Sequence, residues 1–162
     1  MGKSVVALVL GLGLALGAAM PSGAQPEMTE SAVSMGDRIR TANDELFHKG
    51  NLELVQEIFA PGYVSHVAGK ATEARPEAVG GFVTALRNAF PDLRVEIEVL
   101  VEDGDRVAWL RTHRGTFRAD LFGVTATGRP MVWQEMIVTR YEDGKIAEEW
   151  GVSDFVERSL NP

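Results

Sequence analysis

The spacing of apolar residues changes midway along the chain, and this change limits the folds that the chain can adopt. In the first half, apolar residues recur every three or four positions along 29–48 and 76–90, as on one face of a helix. Beyond them, apolar and charged residues alternate along 94–102, as in a strand with one buried face. Helices followed by strands predict an α+β fold with helices on one face of an antiparallel sheet.

Three helices are predicted before the first long strand: over 29–48, from Asn51 to Pro61-Gly62, and from Pro76 to Pro91. Glycine and proline at these ends are residues that terminate helices, and proline also suits a first helical turn. A short extended piece is expected at Tyr63–His66. The helices are therefore expected to precede the main sheet.

Four strands are predicted in the second half: 94–102, Arg106–Thr116, Met131–Tyr141 and Ile146–Val152. Asp103-Gly104 and Asp143-Gly144 are hairpin signals, so these strands are expected to form an antiparallel meander. A short C-terminal helix is expected after Asp154. Helices packed across the concave side of a curved sheet can leave a pocket where the two layers diverge.

Composition excludes several mechanisms. The chain has 162 residues, enough for one domain with a real core, and no cysteine. Disulfides, a thiolate nucleophile and cysteine-ligated zinc are therefore excluded. With 16 Lys plus Arg against 23 Asp plus Glu, no nucleic-acid surface is expected. The three histidines are scattered, so we expect no metal, and no Gly-x-Ser-x-Gly elbow or phosphate-binding loop occurs.

The N-terminal region has the pattern of an export signal. Lys3 supplies a positive start, an uncharged apolar stretch follows, and Ser22-Gly23-Ala24 provides small residues before a cleavable bond. The stretch is shorter than the roughly 20 residues that cross a bilayer. We therefore predict a signal peptide over 1–24, a linker over 25–28 and a folded domain over 29–162, in a protein that is exported to the periplasm or beyond and has no membrane contact after cleavage.

Motifs along almost the whole predicted domain carry a resemblance to a known family. They are Gly50-Asn51-Leu52-Glu53, Phe59-Ala60-Pro61, Tyr63-Val64-Ser65-His66, Leu86 to Leu93, Gly115-Thr116, Phe122-Gly123-Val124, Thr127-Gly128-Arg129, Glu142 to Gly151, and Asp154-Phe155. In order and spacing the sequence resembles the SnoaL-like polyketide cyclases, often called ester cyclases, of the nuclear-transport-factor-like and ketosteroid-isomerase-like superfamily.

The resemblance implies a cone-shaped α+β barrel, commonly a homodimer through its outer sheet face. It also implies an apolar cavity for a small hydrophobic molecule, with no metal or organic cofactor. In these cyclases an acidic side chain on the last strand serves as general acid/base during an intramolecular aldol addition. The aligned position here is Gly151, which has no proton to give. The family's histidine on the preceding strand aligns with Ile137, and a neighbouring glutamine with Glu135.

Four side chains are candidates for acid/base chemistry: Glu135, Glu149, Asp154 and His66. Glu135 and Glu149 could meet across the sheet and share a proton, which would raise one pKa, although either could instead face solvent or pair with an arginine. Asp154 could instead cap the C-terminal helix. His66 could act at the cavity mouth or be a satisfied loop histidine.

Six side chains are predicted to contact the small molecule: Tyr63, Trp109, His113, Trp133, Ile137 and Trp150. Plain core packing is the alternative for the tryptophans. His113 shares a strand face with Arg111, where the pair could bind an anion or orient a carboxylate, or belong to a solvated or dimer-interface face. The function expected is cofactor-independent acid/base chemistry on an apolar carbonyl compound. A non-catalytic binding protein, or an epoxide-hydrolase-like or dehydratase-like enzyme, remains an alternative.

Overall fold

The computed structural model describes residues 33–67 and 70–160. The predicted signal peptide and linker lie outside the described residues. Helix α1, Met35–Asn43, begins at Ser34, whose Oγ accepts a hydrogen bond from the Asp37 amide at 3.0 Å. A π-helical turn, Asp44–Lys49, continues it. Gly50 ends the turn at φ 77°, a left-handed conformation that glycine adopts without steric cost.

The second predicted helix is shorter than its apolar spacing indicated. It consists of a 3-10 turn at Leu52–Leu54 and helix α2 at Val55–Ile58, and strand β1 begins at once, Phe59–Val67. The prediction that the helix extends to Pro61 was therefore wrong. Proline lacks an amide hydrogen, and β1 accommodates Pro61 where its pairing register with its neighbour shifts, between Phe59 and Val64.

Strand β2, Lys70–Glu73, was not predicted, and it pairs antiparallel with β1. Helix α3, Pro76–Ala89, confirms the third predicted helix, with proline in its first turn. Its Val83 and Leu86 are buried, which places its apolar face against the rest of the core.

The four predicted strands are confirmed as β3, Arg94–Asp103; β4, Arg106–Thr116; β5, Pro130–Glu142; and β6, Lys145–Ser153. The short C-terminal helix is α4, Phe155–Leu160. In the described residues the six strands form one sheet in the order β2-β1-β6-β5-β4-β3.

The four predicted strands form the expected antiparallel meander, but β1 lies parallel to β6, so the sheet as a whole is mixed. A parallel neighbour needs a long connection, and α3 with the β3–β5 meander provides one. Within the described residues β2 and β3 are the two edge strands, so the sheet is open and does not close into a barrel.

The core lies between the helices and one face of the sheet. Ile39 of α1 and Leu86 of α3 are buried in one cluster with Trp109 of β4 and Trp133 of β5. Because side chains alternate along a strand, every second residue of β4, β5 and β6 lies on this face, including some polar residues. None of the helices in the described part of the chain is long and apolar enough to cross a membrane.

Candidate functional site

A cavity of about 650 Å³ lies between the helices and the inner face of the sheet. Its apolar wall includes Ile39, Leu46, Phe47, Phe82, Trp109, Trp133, Ile137 and Phe155. Val67, Phe122, Val152 and Val156 also border the cavity and are exposed, so they mark its opening to solvent. The volume and apolar lining are typical of a site for a small organic molecule.

Polar groups enter this cavity from neighbouring strands. Tyr63 lies on β1, Arg111 on β4, Glu135 on β5 and Glu149 on β6, and all four line the cavity. Burial of such groups costs free energy unless they find partners. The hydrogen bonds of Glu135 and of Glu149 divide these groups into two clusters.

The first cluster is an ion pair between Arg111 and Glu135. Arg111 Nε donates to Glu135 Oε2 at 2.8 Å, and Nη2 also donates to Oε2. Burial disfavours the charged form of Glu135, but the Arg111 charge and His113 outweigh that effect and lower the pKa to about 2. Glu135 is therefore a carboxylate at neutral pH. Its Oε1 accepts no hydrogen bond within the described segments.

His113 lies behind this ion pair. Its ring is fully buried, stacks on Trp133 with centroids 4.5 Å apart, and places Nε2 3.3 Å from Glu135 Oε2. Burial lowers the pKa of His113 against the opposing effect of Glu135, so the ring is neutral at pH 7. A neutral ring that donates from Nε2 has an acceptor at Nδ1. That Nδ1 is buried and has no partner in the described part of the chain.

The second cluster surrounds Glu149. The Tyr63 hydroxyl lies 2.7 Å from Glu149 Oε2, and Thr139 Oγ1 lies 2.8 Å from Oε1. Trp109 Nε1 in turn donates to Thr139 Oγ1 at 2.9 Å. Burial raises the pKa of Glu149, although Tyr63, Arg111 and Thr139 favour its charged form. This carboxyl group is therefore the one in the cavity whose environment favours the neutral acid.

Glu135 and Glu149 do not form the proton-sharing pair that was predicted as one possibility. In the register of β5 and β6, Glu135 lies opposite Ser153, and Glu149 lies opposite Thr139. The separation follows from that register, which places the two carboxylates at different levels of the sheet. The alternative of an arginine pair is the one that Glu135 adopts.

Two other candidates do not reach the cavity. Asp154 Oδ1 accepts the Gln134 amide at 2.6 Å, and Oδ2 accepts Arg158 Nε at 2.9 Å, so its carboxylate ties α4 to β5. His66 lies on the opposite face of β1, where Nε2 is 2.7 Å from Glu148 Oε1. Alternation along β1 explains this, since Tyr63 and Ser65 take the inward positions. The acid/base roles suggested for Asp154 and His66 are therefore not compatible with this cavity.

Four of the six predicted ligand contacts line the cavity: Tyr63, Trp109, Trp133 and Ile137. His113 and Trp150 do not line it. The His113 ring is covered by Trp133 and Phe47 and does not border the cavity. Trp150 stacks on His66 at 4.9 Å, on the other face of the sheet, because it adjoins the inward Glu149.

Asn43 and Ser65 line the cavity and were not predicted. Asn43 Nδ2 donates to the Ile39 carbonyl at 2.9 Å, and its Oδ1 accepts from Arg111 Nη1 at 3.2 Å. The position of Asn43, four residues after Ile39 on the apolar face of α1, was the available signal. Ser65 was two residues from Tyr63 on an extended piece, which places both on one face.

Gly151 lines the cavity beside Glu149. A Cβ atom at this position would meet one atom within 4 Å, Ile137 Cγ1, at 3.9 Å, which is ordinary van der Waals contact. The position aligned with the cyclase acid therefore faces space that a side chain could occupy. In the described residues no group of three or more histidine, aspartate or glutamate side chains could hold a metal ion.

An open α+β sheet covered by helices, with an apolar cavity that holds buried carboxyl groups, defines a class of small-molecule pocket proteins. Residues 37–158 match the family model of the SnoaL-like polyketide cyclases. The chain belongs to this family. Curated protein sequences give no match to it.

Solved structures have the same fold. The chain is similar to IdmH, a candidate polyketide cyclase from Streptomyces antibioticus, with 31% identity and a TM-score of 0.64, over 80% of this chain and 100% of that one. A candidate polyketide cyclase from Acidithiobacillus ferrooxidans has 24% identity and a TM-score of 0.68, over 81% and 96%. A SnoaL-like polyketide cyclase from Agrobacterium tumefaciens has 24% identity and a TM-score of 0.65, over 76% and 95%.

Proposed function

We propose that the cavity binds a small, mainly apolar carbonyl compound and catalyses cofactor-independent proton transfer on it, as in a cyclase or isomerase, with Glu149 as the proton donor. The observation that carries this proposal is the position of Glu149, a carboxyl group in the wall of an apolar cavity whose pKa is raised by burial. A carboxylic acid that keeps its proton near neutral pH can protonate an oxygen that gains negative charge during the reaction.

The charge balance of the cavity favours a neutral ligand. Arg111 and Glu135 compensate each other, and Glu149 is uncharged when protonated. The guanidinium of Arg111 is already engaged through Nε, Nη1 and Nη2. A carboxylate ligand would meet no uncompensated cation, whereas a ligand hydroxyl could donate to Glu135 Oε1. The substrate class is therefore a neutral ketone or ester, with or without a hydroxyl group.

The first prediction concerns Glu149→Gln. Exchange of the α-protons of 2-tetralone in D2O, followed by NMR, measures acid/base chemistry on a neutral apolar ketone without knowledge of the natural substrate. General acid/base catalysis contributes roughly 10²–10⁴-fold. We therefore expect the substitution to slow enzyme-dependent exchange by about 10²-fold or more, because glutamine has no acidic proton.

Glu148→Gln is the matched control. It changes the neighbouring carboxylate on the same strand, which contacts His66 and Arg140 on the other sheet face. Equal exchange rates for the wild type and Glu149→Gln, with the Glu148→Gln rate also unchanged, would contradict the role given to Glu149.

A second candidate function is non-catalytic binding of a hydrophobic small molecule, and Gly151 favours it. The position that carries the acid in related cyclases has no side chain here, while the cavity is retained. Native mass spectrometry of the protein purified from its own host distinguishes the two. A ligand that is retained unchanged during prolonged incubation supports binding, and conversion of that ligand supports catalysis.

We also propose that residues 1–24 direct export and are cleaved, and that the mature protein is a homodimer. The charge and spacing of the N-terminal sequence support export, and the family resemblance supports the dimer. The mass of the secreted protein and its mass in solution test the two statements separately.

A further inference from the structure

We propose that the hydroxyl of Tyr63, and not the carboxyl of Glu149, contacts the ligand oxygen, and that Glu149 supplies its proton through Tyr63. This inference rests on the proposed function and deepens it. It follows from the direction in which each hydrogen bond around Glu149 must run.

Trp109 fixes the donor-to-acceptor direction in the chain of hydrogen bonds that leads to Glu149. An indole nitrogen can only donate, so Thr139 Oγ1 accepts from Trp109 Nε1 at 2.9 Å. Thr139 is fully buried, and Glu149 Oε1, at 2.8 Å, is the one acceptor for its hydroxyl hydrogen in the described part of the chain. Thr139 therefore donates to Oε1, and Oε1 is the carbonyl-type oxygen of the acid.

The proton of a neutral Glu149 consequently lies on Oε2. The group beside Oε2 is the Tyr63 hydroxyl, at 2.7 Å. When Oε2 carries the proton it donates to the Tyr63 oxygen, so the hydrogen of Tyr63 must point elsewhere. Tyr63 itself lines the cavity, and Ser65, two residues along β1, also interacts with this hydroxyl. The Tyr63 hydrogen is thereby available to an oxygen of a bound ligand.

Burial has the same effect on both groups. It raises the pKa of the Tyr63 hydroxyl, so the phenol keeps its proton at neutral pH. The charged groups that face the dyad are Arg111 of β4 and Glu135 of β5, which compensate each other. Burial therefore favours the protonated form of both groups.

The transfer step balances without an added reactant. The Tyr63 O–H bond breaks as an O–H bond forms on the ligand oxygen, and the Oε2 proton moves to the Tyr63 oxygen. Glu149 is left as a carboxylate that accepts from Tyr63 and Thr139. Water at the open side of the cavity takes up the α-proton of the ligand, which leaves the neutral enol, and the resulting hydronium returns a proton to Glu149.

The first test needs no ligand. The infrared band of a protonated carboxyl group, obtained as the difference between the wild type and Glu149→Gln at pH 7, reports whether Glu149 is neutral. The inference requires this band. Its absence would overturn the relay, because an ionised Glu149 accepts the Tyr63 hydrogen and holds it away from the ligand.

The second test uses a ¹³C-carbonyl naphthyl ketone, 6-propionyl-2-dimethylaminonaphthalene, and its carbonyl stretch in the bound state. In the wild type we expect a shift to lower frequency, the result of a hydrogen bond to the ketone oxygen. Tyr63→Phe is expected to bind the ketone and lose the shift. Tyr141→Phe removes the hydroxyl of a partly buried tyrosine that interacts with Glu149 but does not line the cavity, and it should keep the shift.

Each other outcome contradicts a specific part of the argument. A shift that survives Tyr63→Phe and disappears in Glu149→Gln would make Glu149 the direct donor, which overturns the relay and preserves the proposed function. A shift lost equally in Ser65→Ala would move the donor to Ser65 and overturn the assignment to Tyr63. Failure of the wild type to bind the ketone would contradict the proposed function, and the relay with it.

Discussion

At the scale of single residues, burial gives two glutamates of one cavity opposite properties. Glu135 has a guanidinium against it and is a carboxylate, whereas Glu149 has two hydroxyl groups against it and favours its proton. A fixed charge beside a carboxyl group offsets the cost of burial, and neutral donors offset it only in part. A shared electrostatic neighbourhood therefore does not imply a shared role.

The stability of the protein should depend on pH through Glu149 with a definite sign. Its folded pKa is raised above the ordinary value of 4.5, so its contribution is fully present below that pH and is lost as pH rises through the folded pKa. Glu149→Gln removes this dependence. Urea unfolding at several pH values should show the variant gaining stability relative to the wild type as pH rises, and a constant difference would contradict the raised pKa.

The pH dependence of stability that Glu135 contributes has the opposite sign. The substitution Arg111→Met tests the contribution of its ion pair. The ion pair contributes stability that is present above the unfolded pKa of Glu135 and is lost as pH falls through the folded pKa of about 2. Removal of Arg111 leaves a buried carboxylate without its cation, and at pH 7 we expect a loss of about 3–5 kcal/mol in the free energy of unfolding.

The double variant Arg111→Met/Glu135→Gln is the control for that prediction. It removes both charges, so it should recover much of the lost stability. A double variant no more stable than Arg111→Met would show that lost packing, and not the unpaired charge, causes the effect, because the Arg111 guanidinium also lies 4.8 Å from the Phe47 ring centroid.

At the scale of elements, two glycines allow a matched test of helix boundaries. Gly50 ends the first helical segment at φ 77°, and a Cβ there would lie 3.2 Å from Arg87 Nη2. Gly81 lies inside α3 with open space around its Cβ position. We expect Gly50→Ala to destabilise the fold by about 1–2 kcal/mol and Gly81→Ala to stabilise it by roughly 0.5–1 kcal/mol. Thermal unfolding of both variants measures the direction of each change in stability. If both substitutions changed the stability in the same direction, the assigned end of the helix at Gly50 would be contradicted.

Most elements could be predicted from local spacing, and the sites of failure have physical causes. The third helix and the strands β3 to β6 have regular apolar periods with turn residues between them, so the local sequence was sufficient to predict these elements. Leu52 to Phe59 fits a helical face equally well, but pairing with β6 draws Phe59 into a strand. Parallel pairing of distant segments leaves no local signal, and β2 has no apolar pattern.

The site was predictable only in part, for a related reason. Strand alternation places Glu135 and Ile137 on one face, which is the cavity side, and the predicted fourth strand made Glu149 a candidate as a carboxyl group that could meet Glu135. The partners of these groups depend on register between strands, which decides that Glu149 meets Thr139 and that Tyr63 reaches it from β1. The outward direction of His66 and Trp150 follows from alternation along β1 and β6, once Tyr63 and Glu149 are placed on the inward face.

At the scale of the whole molecule, Gly151 allows a test of whether the cavity can accept an acidic side chain at the position that aligns with the cyclase acid. Gly151→Asp should fold, because the nearest atom to the added Cβ is 3.9 Å away. If the protein is a binding protein that lacks this acid, the variant should gain exchange activity on 2-tetralone, measured by NMR against the wild type. Reduced activity in a folded variant would instead indicate that the native chemistry depends on an unobstructed Glu149.

The parallel pairing of β1 with β6 has a consequence for the order in which the molecule is completed. Tyr63 and Glu149 are 86 positions apart along the chain, yet one hydrogen bond joins them. During synthesis β1 emerges long before β6, the strand that it pairs with. The entropy cost of closing this long loop must be met before the contact between the two strands can stabilise the fold. Chains truncated before residue 145 would therefore lack Glu149 and the strand beside β1, so the proposed relay from Glu149 to Tyr63 can form only when the final strand is in place.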